Sequence, residues 1–120
     1  RQTLTFDLTA SILAAAGCSP RTDRPLDGID VLGEIAAGKA AERRPLFWRA
    51  RRADRTWKAV RHGDLKYIWR EDGDRVDEYL FNLAQDPGEA NNLFGMPRKD
   101  GARLKTLLAD WETAMKPSKD

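Results

Sequence analysis

The chain has 120 residues, 41% of them hydrophobic and 33% charged, a mixture too apolar for a disordered chain and ample for one core. Lys plus Arg number 21 against 19 Asp plus Glu, a formal charge of +2, so bulk charge does not call for nucleic acid or an anionic membrane as partner. One cysteine excludes an internal disulfide framework and a multi-cysteine zinc site, and no apolar run approaches the ~20 residues of a membrane span.

The chain opens on Arg1 rather than Met and enters a helical pattern almost at once, which reads as a piece of something longer or as a mature product. Phe6 to Gly17 carries that pattern, with Asp7 as N-cap, Leu8, Ile12 and Ala15/Ala16 on one face, and Gly17 as the left-handed stop. Residues 18–30 form a loop. Val31 to Gly38 makes a short helix that Gly33 weakens and Gly38 ends. Lys39 to Arg44 is a charged connector.

From Pro45 the period changes to two. Leu46–Arg49, Thr56–Arg61, Leu65–Arg70 and Glu78–Leu83 read as strands. Gly63 suits the tight link His62-Gly63-Asp64 by taking positive φ. On the third strand Leu65, Tyr67 and Trp69 share one face, with Lys66 and Arg70 on the other. On the fourth, Tyr79, Phe81 and Leu83 share a side. Links this short impose an antiparallel meander, because parallel strands need long crossovers. Asp86-Pro87-Gly88 then turns the chain. A last helix runs from about Asp100 to Lys116, with Leu104, Leu107, Leu108, Trp111 and Met115 as its apolar stripe. Glu112 and Lys116 form an i, i+4 pair, and Pro117 ends the helix. The helix should lie across one face of the sheet, because a small sheet needs a second layer.

Self-contained chemistry is hard to find along this chain. His62 is the only histidine, and it sits in a turn with no evident acid–base partner. Glu71, Asp72, Asp74, Asp77 and Glu78 are clustered but lack the spacing of a calcium loop. Arg43, Arg44, Arg49, Arg51, Arg52, Arg55, Lys58 and Arg61, interleaved with Trp48 and Trp57, are the best case for a polyanion surface. There is no phosphate-cradling glycine loop and no GxSxG elbow. Cys18-Ser19-Pro20-Arg21-Thr22 nearly matches Cys-x-Pro-x-Arg, in which cysteine is oxidised to formylglycine. Thr22 stands where that arginine belongs, so Cys18 reads as a loop thiol.

Longer stretches are more telling. Asp7-Leu8, Ile12-Leu13 and Ala16-Gly17 are followed by Arg24-Pro25-Leu26-Asp27-Gly28-Ile29 and by Arg44-Pro45-Leu46-Phe47-Trp48. Next come Ala59-Val60-Arg61-x-Gly63-Asp64-Leu65-Lys66-Tyr67-Ile68 and Glu78-Tyr79-Leu80-Phe81-Asn82-Leu83-x-x-Asp86-Pro87-x-Glu89-x-x-Asn92-Leu93. In this order they resemble the C-terminal region of the arylsulfatase-type, formylglycine-dependent sulfatases. The stretch from Leu83 to Leu93 is the most specific part. There, Asp86-Pro87 should turn the chain, Glu89 and Asn92 should satisfy loop backbone groups, and Leu93 should re-enter the core.

The resemblance implies an α+β fold: a three- or four-stranded antiparallel sheet packed by the C-terminal helix, with an N-terminal helix left over from a preceding α/β domain. Residues 1–38 would be the helical end of that catalytic domain plus a connector, and 39–120 the sheet-and-helix subdomain. It implies formylglycine and calcium for the catalytic domain, and maps no catalytic residue and no metal ligand onto this chain. Arg49, Arg51, Trp57 and His62 are the candidates for lining the substrate cleft. The partner implied is the catalytic domain, with no nucleic acid or membrane. A severed subdomain should expose an apolar patch or cover it by self-association. Two other readings stand beside this one: the same subdomain in a phosphonate or phosphodiester hydrolase, and an independent module binding a polyanion or nucleic acid through Arg43–Arg61.

Overall fold

The computed structural model of the chain describes residues 2–97 and 99–115. The elements are α1 (Thr5–Ala15), α2 (Val31–Ala36), β1 (Leu46–Arg52), β2 (Arg55–His62), β3 (Leu65–Asp72), β4 (Arg75–Asn82) and α3 (Lys99–Met115). They belong to two compact units, one ending at Glu42 and the other starting at Arg43.

In the first unit, Leu4 rather than Asp7 is the N-cap of α1. Asp7 sits three positions on and reaches back, its Oδ2 accepting from the Leu4 N–H at 2.7 Å. This is the acidic half of a capping box, which serves the same orphan donors from inside the first turn. The inward face also differs from the expected one. Asp7, Ala10 and Ser11 are buried, while Leu8 and Ile12 are 55% and 57% exposed. The reason is polar. The loop entering α2 brings backbone donors that need acceptors. Asp7 Oδ1 takes the Ile29 N–H at 3.1 Å, and Ser11 Oγ takes the Leu32 N–H at 3.3 Å. Gly17 has φ +72, and the bonds Gly17 N–H to Ala14 and Cys18 N–H to Leu13 complete a Schellman stop. Gly33 does more than weaken α2. The Asp30 carboxylate caps its N–H at 2.8 Å and occupies the place a Cβ would take.

In the second unit the strands pair in the order β1-β2-β3-β4, each antiparallel to the next. Two-residue links join them: Ala53-Asp54, Gly63-Asp64 and Gly73-Asp74. The first residue of each has φ of 53, 63 and 59 respectively, the sign required by a type II′ turn, whose twist matches the strands it joins. β1 and β2 run longer than the sequence pattern indicates. Arg49 to Arg52 are all exposed and carry no apolar alternation, so their strand character comes from the ladder to Thr56, Arg55 and their neighbours.

This register divides the sheet into two faces. One carries the row Phe47, Val60, Tyr67 and Leu80. α3 covers it, with Leu104 and Leu108 buried and Leu107, Trp111, Leu93 and Phe94 packed around the same cluster. Phe47 and Trp111 stack with ring centres 5.1 Å apart. Each fully buried leucine here contributes about 2 kcal/mol of transfer free energy. Met115 is the exception to the expected stripe, being 54% exposed; it lies one turn past Trp111, beyond the rings it could cover. Glu112 pairs with Lys58 at 2.9 Å; its expected partner Lys116, like Pro117, lies outside the described residues. The other face is partly apolar as well. Leu46, Trp48, Trp57, Ala59, Ile68, Tyr79 and Phe81 all point to it.

Candidate functional site

The best-formed hollow in the second unit lies on this second face. It has a volume of about 680 Å³ and is lined by Trp48, Ala50, Trp57, Ala59, Ile68 and Leu83, among others. Its shape follows from the register. Trp48 lies opposite Ala59, and Ala50 opposite Trp57. Two indoles therefore alternate with two methyl groups in a two-by-two pattern, and the small residues leave a slot between the large ones. Ile68, opposite Ala59, extends the floor. The rim is charged. Lys66 Nζ donates to Glu89 at 2.7 Å, and Arg61 Nε donates to the Gly63 carbonyl at 3.1 Å.

The segment 83–93 closes one side of this hollow and one edge of the sheet. Asp86 accepts from the N–H groups of Ala90 and Asn91 at 3.1 and 2.8 Å, and these bonds hold its carboxyl below the usual range. Glu89 was expected to satisfy loop backbone. Its carboxylate goes to Lys66 instead, from a left-handed backbone position, φ +54. Asn92 does satisfy backbone. Its Oδ1 accepts from Leu80 and Phe94 N–H at 3.0 Å each, and its Nδ2 donates to the Glu78 carbonyl at 3.1 Å. Leu93 N–H continues the pairing to Leu80 at 2.8 Å, so this short stretch behaves as a partial fifth strand on β4.

The four sequence candidates do not converge. Trp57 lines the hollow just described. Arg49 and Arg51 fall on the α3 side of β1 by register, at the edge of the sheet. His62 lies at the β2–β3 turn beside Arg43, Asp64, Asn82, Asp100 and Arg103. Its Nδ1 faces Arg103 Nη1 at 2.8 Å and its Nε2 faces the Arg43 carbonyl at 3.2 Å. Guanidinium only donates, which assigns Nδ1 as acceptor and Nε2–H as donor. Both ring nitrogens are thus engaged in holding the turn.

The remaining titratable clusters are similarly occupied. Tyr67 donates to Glu78 Oε1 at 2.6 Å, and Lys105 donates to the same oxygen. Burial first, then Glu78, pushes the Tyr67 hydroxyl far above its ordinary range, so it keeps its proton. Burial alone would raise Glu78, but the bonds from Lys105 and Tyr67 outweigh it and the carboxyl is lowered. Of the acidic cluster, Asp72 pairs with Arg55 and Arg70, and Asp77 with Arg75. Among the described residues no three His, Cys, Asp or Glu side chains are grouped to hold a metal ion. Cys18 is exposed and unpaired with another thiol. The basic stretch is split by the pleat: Arg49, Arg51 and Lys58 fall on the α3 side, Arg52, Arg55 and Arg61 on the other. Ala50, Ala59, Ile68 and Lys66 were not among the sequence candidates, and Trp48 entered only with the polyanion surface. Their signal was the alternation of Trp and Ala along β1 and β2, visible only once the register is known.

No protein-family model matches the chain, and no curated protein does at the level of sequence. Solved structures do match. One is a protein in complex with its substrate D-glucosamine-2-N,6-O-disulfate, at 20% identity and TM-score 0.75, covering 95% of this chain and 25% of that one. A candidate sulfatase from Bacteroides fragilis matches at 21% identity and TM-score 0.71, with 89% and 24% covered. A 2-O GAG sulfatase matches at 23% identity and TM-score 0.68, with 90% and 24% covered. The chain thus has the fold of a portion of sulfatase structures and spans about a quarter of their length. Its α+β architecture, a four-stranded antiparallel sheet with a C-terminal helix and an N-terminal helix, is the one the sequence resemblance implied.

Proposed function

We propose that the chain is the C-terminal subdomain of a sulfuric ester hydrolase of the sulfatase type, a structural part that does not turn over substrate alone. The observation that carries this reading is the asymmetry of the match: 88–95% of this chain against 23–25% of sulfatase-like chains. The uncovered apolar surface supports it. Leu8, Ile12, Leu32 and Ile35 in the first unit and Trp48 in the second are all at least 40% exposed, apolar side chains of the kind a partner surface covers. The partner that covers it is an α/β catalytic domain, to whose end α1 belongs.

Calcium and formylglycine are supplied by that catalytic domain. Neither fits here: the described residues offer no grouped metal ligands, and Thr22 replaces the arginine of the cysteine-oxidation motif. This chain's own residues contribute surface. Trp57 and its hollow are the part best shaped to border a cleft. His62, hydrogen-bonded at both nitrogens, positions the β2–β3 turn.

The coding region ahead of Arg1 tests this reading. A Cys-x-Pro/Ser-x-Arg motif with metal-ligand carboxylates is expected there, and a start codon directly before Arg1 overturns the proposal. The purified chain, given 4-nitrophenyl sulfate and calcium, should release no nitrophenol; measurable turnover would overturn the non-catalytic role.

A further inference from the structure

We propose that the free edge of β1 is a docking site for an extended acidic segment of a partner polypeptide, which adds to the sheet as a fifth full strand. β1 pairs with β2 on one side only, and among the described residues nothing pairs with its other edge. The edge is seven residues long, about 20 Å of unpaired ladder. The opposite edge is treated differently, since Asn92 and Leu93 close β4.

Charge selects the occupant. Of the other strand cations, Arg55, Lys58, Lys66, Arg70 and Arg75 meet carboxylates within the chain, and Arg61 donates to the Gly63 carbonyl. The side chains of Arg49, Arg51 and Arg52, all on the open edge, meet none among the described residues. A second copy of the chain is a poor occupant, because antiparallel pairing of two β1 edges sets guanidiniums opposite or diagonal to one another. An acidic strand is a good one. Carboxylates opposite Arg49 and Arg51 form cross-strand pairs on the α3 side. The intervening residue then points to the other face, beside Ala50, whose small side chain leaves room next to Trp48 and toward Trp57. The fitting segment therefore alternates acidic and large apolar residues. Main-chain bonds supply affinity and the alternating side chains supply selectivity.

A blocked heptapeptide of alternating glutamate and leucine is the probe, titrated into the full 120-residue chain and followed by amide and indole NMR shifts. Shifts confined to residues 46–52 and the Trp48 indole are expected. Binding should weaken about tenfold in Arg49→Glu/Arg51→Glu, as two reversed cross-strand pairs imply, and a lysine–leucine peptide should bind that variant in its place. If the reversal disturbs β1 itself, seen in the variant's own spectrum, Arg49→Gln/Arg51→Gln should still weaken binding severalfold. Backbone N-methylation of the peptide should abolish binding. Equal binding by the N-methylated peptide, shifts elsewhere on the sheet, no binding at all, or a dimer formed through β1 would each overturn the proposal.

Discussion

Ala53 is the one non-glycine residue among the three hairpin links to occupy the first, left-handed position, with φ 53 against 63 and 59 for Gly63 and Gly73. A Cβ in that region meets the following carbonyl, at a cost of about 1 kcal/mol. Ala53→Gly removes the clash while adding freedom to the unfolded chain, so the net expectation is a stabilisation of about 0.5 kcal/mol, read as a raised urea midpoint at unchanged slope. Asn92 presents the opposite case, a side chain with three bonds to backbone groups of Glu78, Leu80 and Phe94. Asn92→Ala strips the β4 edge of that pairing and should cost about 2 kcal/mol. Asn92→Asp is the sharper test: it retains the acceptor for the Leu80 and Phe94 N–H groups but sets a carboxylate against the Glu78 carbonyl. Its urea midpoint should fall between wild type and Asn92→Ala.

At the level of elements, α3 is the second layer of the sheet, and its anchor is Leu104, fully buried against Val60, Tyr67 and Leu80. Leu104→Ala should cost about 3 kcal/mol, transfer plus cavity, whereas Met115→Ala, on the same periodic stripe but exposed, should leave the unfolding midpoint almost unmoved. The 83–93 segment adds a pH dependence. Asp86 is lowered by the Asn91 and Ala90 N–H groups, so the folded state resists its protonation more than the unfolded one. Its contribution is complete above the unfolded value of about 3.9 and is lost as pH falls through the lower folded value. Asp86→Asn should lower Tm at pH 7 and flatten the fall in Tm below about pH 4, which calorimetry at several pH values would show. Elements whose burial follows apolar period were legible in the sequence: the α3 stripe, the β3 face of Leu65, Tyr67 and Trp69, the hairpin at Gly63. What period could not show was decided by polar groups. α1 turns Asp7 and Ser11 inward because the loop before α2 carries donors that only a folded chain brings near, and the Arg-rich half of β1 is a strand because β2 pairs with it. The hollow on the open face was hidden for the same reason, since Trp48, Ala50, Trp57 and Ala59 become neighbours only through register.

For the whole molecule, the central cluster of the second unit is Val60, Tyr67, Leu80, Leu104 and Leu108, with Phe47, Leu93, Phe94 and Trp111 packed against it. The described residues of the first unit bury Ala10 and Val31 beside the bonds made by Asp7 and Ser11, and they leave Leu8, Ile12, Leu32 and Ile35 more than half exposed. Burying a leucine or isoleucine is worth about 2 kcal/mol, so four such side chains in water are a driving force for association whenever no partner domain is present. The isolated chain should therefore show an apparent mass that rises with concentration in sedimentation. Leu8→Glu with Ile12→Glu should suppress that rise, because both side chains are exposed and take no part in the bonds that Asp7 and Ser11 make. The Arg49→Glu/Arg51→Glu variant should associate as wild type does, since the β1 edge repels its own copy. A wild-type chain that stays monomeric at every concentration would mean that these helices are adapted to solvent as they stand, and the case for a missing catalytic partner would lose its physical support.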